Sequence, residues 1–240
     1  MMGPEPPKQE LPSQAQPLHP RKPATLPPYA EEILARLAQS PESNVVVLGG
    51  YLALKHYLDY RQTHDIDAWW RTTRNPAAEA AIRTAMGQVA QNHGLGMTER
   101  TFGEVTSFEF VAGRQKVFSF QIAPRSLYLS EPVLSPWPPL LMETFEDNIA
   151  SKMNALVNRG APRDFVDIRT VVEQGLLSAQ TCWALWQRRN PHDTIVSGQQ
   201  KALFHLCALE ARRPLDSIQD ALQRQRDAET RAWFRDCFLR

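Results

Sequence analysis

Two aspartates stand one residue apart in Asp65-Ile66-Asp67, fourteen residues after the doublet Gly49-Gly50. Residues two apart on a β-strand point to the same face, so on a strand these carboxylates project side by side while Ile66 and Ala68 turn into a core. Such a pair suits one or two Mg2+ ions, hard cations that prefer oxygen ligands and also engage substrate phosphates. Two ions about 4 Å apart stabilise the attacking and leaving oxygens of a phosphoryl displacement. Gly49-Gly50, at a strand-to-helix turn, lets the backbone approach a ligand closely, and the helix start beyond it offers free N–H groups to a phosphate. Each part alone is common: Asp-x-Asp also sits on solvated strand edges, and Gly-Gly in plain tight turns. The apolar Ala68-Trp69-Trp70 that follows argues for partial burial, and buried paired carboxylates need cations.

A second charged cluster runs from Lys152 to Asp167. Lys152 and Arg159, seven apart, share one helix face. Gly160 and Pro162 break that helix and start another, which puts Asp164 in a first turn, where negative charge is favoured. Arg163 and Asp167 are spaced four apart, as for an ion pair. The bland reading is an ion-paired helix corner. The functional reading has Lys152 facing a triphosphate while the Arg/Asp corner holds its helix against the site.

These residues need elements to position them. Residues 1–28 carry nine prolines and almost nothing to bury, so a disordered or extended leader is expected there. Apolar spacing predicts a helix over 29–39, a short buried strand at 45–48, a helix over 51–60 and a second strand over 65–70. A helix over 76–93 follows, with Pro76 in its first turn. Strands at 105–111 and 116–122 flank a hairpin turn at Ala112-Gly113-Arg114. After a proline-laden loop the pattern is helical alone, near 144–158, 163–175, 178–188, 195–210 and 214–238. The expected plan is α+β: a small mixed-sheet core over 29–140, then a helical lobe over 141–240 that completes a cleft.

Composition narrows the classes. A formal charge of +1 provides no global field toward nucleic acid or anionic membrane. No run approaches the roughly 20 apolar residues of a membrane helix. The polar N-terminus has no apolar signal core, so a cytoplasmic location is expected. The three cysteines, Cys182, Cys207 and Cys237, are scattered and the six histidines lack ligand spacing, which argues against disulfides and zinc.

Together the two clusters resemble the AbiEii/AbiGii family of nucleotidyltransferase toxins, within the polymerase-beta-like superfamily. The likeness rests on Gly49-Gly50-Tyr-Leu-Ala-Leu with Arg61-x-Thr63-x-Asp65-Ile66-Asp67, and on Lys152-x-x-Ala155-Leu156-x-x-Arg159-x-x-x-Arg163-Asp164-x-x-Asp167. It covers about residues 29–175 and implies a bi-lobed protein active in its cleft. The roles it implies fall on Asp65 and Asp67 as Mg2+ ligands and on Gly49, Gly50, Lys152 and Arg163 as nucleotide contacts. Asp164 and Asp167 belong to the active-site corner, with Arg61 and Thr63 in support. The implied activity is transfer of a nucleotide from an NTP to an acceptor such as the 3′ end of tRNA, by a toxin whose antitoxin is encoded nearby.

Two departures stand out. The superfamily often has Ser where this chain has Gly50. A third acid usually stands on a neighbouring strand, where this chain has Gln121; Glu109, across the hairpin, is the substitute if the register allows. An amide is a poor metal ligand and no general base, so two other classes stay open: a nucleotide or metal sensor without turnover, and an interaction protein that docks through its leader and helical lobe. Other residues tempt less. His64 should point away from the pair. Trp69 shares its face, to stack on a base or to wall the core. Arg188-Arg189 and Arg212-Arg213 read as RNA contacts or as solvated helix ends, and Trp183, Leu185 and Trp186 as core.

Overall fold

The computed structural model describes residues 18–125 and 127–240. Its first half is a seven-stranded mixed sheet. The elements in order are α1 (Ala30–Leu37), β1 (Val46–Gly49), α2 (Gly50–Lys55), β2 (Asp65–Trp70), α3 (Pro76–Asn92), β3 (Gly96–Phe102), β4 (Val105–Ala112), β5 (Gln115–Ala123), β6 (Val133–Leu134) and β7 (Leu141–Met142). The strand order is β3-β4-β5-β2-β1-β7-β6. β2 runs antiparallel to β1 and parallel to β5, and β7 lies parallel to β1. Five helices follow: α4 (Phe145–Asn158), α5 (Pro162–Glu173), α6 (Ala179–Arg189), α7 (Ile195–Arg212) and α8 (Ala221–Trp233), the last closed by a π-helical turn at Phe234–Phe238.

The alternation on β2 works as expected: Ile66, Ala68 and Trp70 enter a core with Phe108, Phe110, Phe118 and Phe120, covered by α1 and α3. The opposite face of β2 carries Asp65, Asp67 and Trp69. A second core joins α4–α8 around Phe165, Trp183, Trp186 and Phe234. Helix α2 connects the two, with Leu52 and Ala53 in the first core and Tyr51 and Leu54 in the second.

Several elements differ from expectation for physical reasons. Helix α2 stops at Lys55 rather than running on to Tyr60. The Tyr51 hydroxyl accepts the backbone N–H groups of Tyr60 (3.2 Å) and Arg61 (2.8 Å), folding the chain back over the helix, and buried Lys55 pairs with Asp59. β3 was not expected at all; it is a largely exposed edge strand and carries no apolar alternation to reveal it. β7 keeps the sheet going to Met142, past residue 140. The last helix is broken into a short 3-10 turn at Leu215–Ser217 and α8. Residues 1–17 lie outside the described residues; residues 18–25 are mostly exposed, with Arg21 N–H donating to the His56 carbonyl (2.8 Å), and the segment meets the first core at Leu26, next to buried Pro27.

Helix α7 reaches the second core through Gly198, where an added Cβ would stand 2.7 Å from the Trp186 ring and 3.0 Å from Trp183. Helix propensity favours Ala over Gly by about 1 kcal/mol, yet overpacking against rigid rings costs about 1–3 kcal/mol. Gly198→Ala is therefore expected to lower the urea midpoint of unfolding; an increase would show that the tryptophans yield.

Candidate active site

The glycine doublet and β2 fit into one another. Gly49 lies opposite Asp67 in the β1–β2 ladder. A Cβ on Gly50 would stand 2.1 Å from Asp67 Oδ2, and one on Gly49 would stand 2.2 Å from Trp69 Nε1. Gly50 also has φ +61, a left-handed conformation that favours glycine. The doublet thus makes room for the protein's own carboxylate and indole, a constraint that spacing along the chain does not reveal.

Asp65, Asp67 and Trp69 share the half-buried face of β2, as alternation predicts, and of the three Asp67 and Trp69, but not Asp65, border the cavity shared with the helices. The Thr63 hydroxyl donates to Asp65. Among the described residues no donor or cation lies in bonding contact with the Asp67 carboxylate. Burial, and then the neighbouring Asp65 charge, push the Asp67 carboxyl above its ordinary value, while Lys152, Arg163 and Arg159 pull it down from farther away. A cavity of about 440 Å³ opens before it, lined on the sheet side by Gly50, Trp69 and Gln121 and on the helical side by Ser151, Lys152, Arg159 and Arg189.

The charged corner is built differently from its spacing. Arg163 is exposed and does not pair with Asp167; nor does it line the cavity. Asp167 is wholly buried and receives Arg61 Nε (2.8 Å) and Nη2 (2.9 Å), Lys152 Nζ (2.8 Å) and the Tyr60 hydroxyl. Burial alone would raise this carboxyl, but the Arg61 guanidinium and the Lys152 ammonium outweigh it and hold it below the usual carboxylate range. Asp164 accepts a bidentate pair from Arg159 (2.8 and 2.8 Å) and the Ala161 N–H (3.1 Å), closing the first turn of α5. Neither late aspartate reaches the cavity; each holds a cation that does.

The third-acid position is occupied by an amide. Gln121 stands in register with Asp67 on β5 and lines the cavity. Glu109 shares the face but lies one strand farther out, opposite Ser119, with Arg100 and Lys116 3.7 and 3.6 Å away. Among the described residues no group of three or more His, Cys, Asp or Glu surrounds a common point.

Three contributors escaped the sequence reading or were weighed otherwise. Trp69 borders the cavity rather than walling the core. Arg125 is buried beside Glu143 and Asp147, 5.5 Å over the Trp69 ring; burial, then the charge of Arg189, pull its guanidinium down to about 10. Arg189 turns inward to Ser151 Oγ (3.0 Å), whereas Arg188 is exposed as a solvated helix end. No periodicity marks an arginine whose helix end happens to face a cleft.

The family model of the nucleotidyl transferase AbiEii toxin, type IV toxin–antitoxin system, matches residues 32–238. A crystal structure of a protein from H. pylori named as a nucleotidyltransferase is similar at 15% identity and a TM-score of 0.47, covering 86% of this chain and 90% of that one. Among curated proteins, none matches the chain. No helix of the described residues is long and apolar enough to cross a membrane.

A carboxyl that binds its proton more tightly folded than unfolded costs stability once ionised, and the folded state gains as pH falls through the raised value. In chelator at neutral pH, Asp67→Asn is expected to raise the melting temperature, and by less as the pH is lowered; a lower melting temperature would contradict the unpaired state of Asp67. Asp167→Asn is expected to cost about 3 kcal/mol or more in urea unfolding, because it strands the buried cations that Asp167 now neutralises.

Proposed function

Since the chain belongs to the AbiEii family of nucleotidyl transferase toxins of type IV toxin–antitoxin systems, we propose that it moves a nucleotide from an NTP to an RNA acceptor such as the 3′ end of tRNA. We further propose that Mg2+ is held at Asp65 and Asp67 and that an antitoxin is encoded nearby. The observation that carries this reading is the Asp67 carboxylate, raised by burial and by Asp65 and facing a cavity of about 440 Å³ with no counter-ion in contact. Two carboxylates share one strand face, with neutral Ser119 and Gln121 in register beside them, an arrangement that suits a hard cation. When bound, Mg2+ supplies charge neutralisation for the polyphosphate and for the leaving pyrophosphate oxygen.

The rest falls to the chain's own side chains. Gly49-Gly50 leaves Asp67 and Trp69 the room to lie against the backbone turn, and Gly50 and Asp67 line the cavity together. Lys152 and Arg159 face the cavity as cations whose directions are set by Asp167 and Asp164. The work is positioning and electrostatics: an acceptor hydroxyl attacks the α-phosphorus, a new P–O bond forms, and the bond to pyrophosphate breaks. Gln121 cannot take the hydroxyl proton, which passes to water. That same amide favours a second reading, in which the pocket binds nucleotide without turnover.

The test is label transfer. Purified protein with Mg2+ and each α-labelled NTP is given total bacterial RNA, with Asp65→Ala alongside. Label on RNA from one or two NTPs, abolished in the variant, is the expected result. Label on the protein alone would move the acceptor. A rise in melting temperature with NTP and Mg2+ but no label would favour the binding-only reading, and neither label nor rise would overturn both.

A further inference from the structure

We propose that Arg189 is the phosphate-recognising cation of the cavity, and that Lys152 is a positioning residue whose charge is already committed to Asp167. This deepens the nucleotidyltransfer reading and rests on it.

The cations around the cavity differ in what they already hold. Lys152 pairs with buried Asp167 at 2.8 Å. Arg159 is locked in a bidentate pair with Asp164. Arg61 faces Asp167, and Arg125 stands between Glu143 and Asp147. Arg189 lines the cavity and, among the described residues, has no carboxylate in ion-pair contact; its bond is to Ser151 Oγ at 3.0 Å. Asp147, the acid whose charge reaches it, is already served. Asp147 accepts from Arg125, Leu129 N–H and Ser130 N–H, and Glu143 accepts from Asn148.

Ser151 fixes where the guanidinium points. Its one proton goes to the Asp147 carbonyl (2.9 Å) or to the Glu143 carboxylate (3.3 Å), and its lone pairs accept from both Arg125 (3.0 Å) and Arg189 (3.0 Å). Two guanidiniums therefore meet at one neutral oxygen, and of the two only Arg125 has carboxylates, Glu143 and Asp147, in ion-pair contact. Arg189 is half-buried, and burial pulls its guanidinium below the ordinary value. The charge of Asp147 reaches it from beyond ion-pair contact, and a partly desolvated cation with no carboxylate in contact is costly. A guanidinium offers five N–H groups in a planar fork that matches two oxygens of one phosphate, and Ser151 occupies one of them. The ligand class that fits is the polyphosphate of an NTP, on the helical side of the cavity and across from Asp67.

The experiment titrates NTP with Mg2+, and separately pyrophosphate with Mg2+, into wild type, R189Q, R189K and K152Q, followed by tryptophan fluorescence and calorimetry. R189Q is expected to weaken both ligands about tenfold or more, the size of a lost charge-assisted hydrogen bond. R189K should fall between it and wild type, because the charge stays and the fork is lost. K152Q is expected to lower the melting temperature while affecting pyrophosphate affinity less than R189Q does. Binding of both ligands by folded R189Q within twofold of wild type would overturn the inference, including the case in which only RNA binding weakens. If R189Q does not fold, R189K binding as tightly as wild type would overturn it instead. Wild type that binds pyrophosphate in an Arg189-dependent way but no NTP would sink the nucleotidyltransfer reading and leave the phosphate site standing; wild type that binds neither would overturn both.

Discussion

The carboxylate of Asp167 gathers Tyr60, Arg61 and Lys152 from two separate stretches of chain and holds them inside the protein. Tyr60 and Arg61 belong to the segment that leads into β2, Lys152 to α4, and Asp167 to α5. The Arg61 guanidinium also lies 3.6 Å from the centre of the Tyr51 ring, on the helix that joins the two cores. Burying one anion with two cations is favourable only when the geometry is good and the remaining donors are satisfied. Here it is, and the distance between β2 and α4 follows from it. The cavity is the space this clamp leaves between sheet and helices.

Asp67, on the sheet side of that space, is held under the opposite conditions. Asp167 is lowered by the cations touching it, and Asp67 is raised by burial and by a second carboxylate. Both are desolvated; contact with cations separates them. A protein that saturates one buried acid and leaves its neighbour wanting has divided structural from chemical work, a pattern characteristic of functional sites. The glycine doublet belongs to the same division. Gly49 and Gly50 are required because Trp69 and Asp67 fill the volume their side chains would take.

The charge balance on the helical side has its own logic. Asp164 and Asp167 each hold a cavity-lining cation from behind, and Arg125 is absorbed by Glu143 and Asp147. The amide of Gln121 leaves the sheet side with two carboxylates rather than three. Under the proposed nucleotidyltransfer, fewer acids on the sheet would reduce the cation charge that the pair can hold and put more of the work of neutralising a polyphosphate on side chains such as Arg189.

Local chemistry was legible in the chain by itself. Alternation at Asp65–Trp70 determined which residues enter the core and which face outward, because a strand has period two in any context. The helical half was legible from apolar spacing, and both charged clusters from residue type. Pairing across the fold was not. Spacing of four suggested Arg163 for Asp167, but α5 turns Arg163 to solvent and Arg61 arrives from more than a hundred residues away. β3 stayed hidden because an exposed edge strand needs no apolar stripe. Arg189 looked like a solvated helix end until α6 was packed against α4, which brought it to Ser151. Sequence periodicity reports how each element divides its faces between core and solvent; only the packing of elements decides which charge meets which, because ion pairs form across whatever distance in the chain the fold closes.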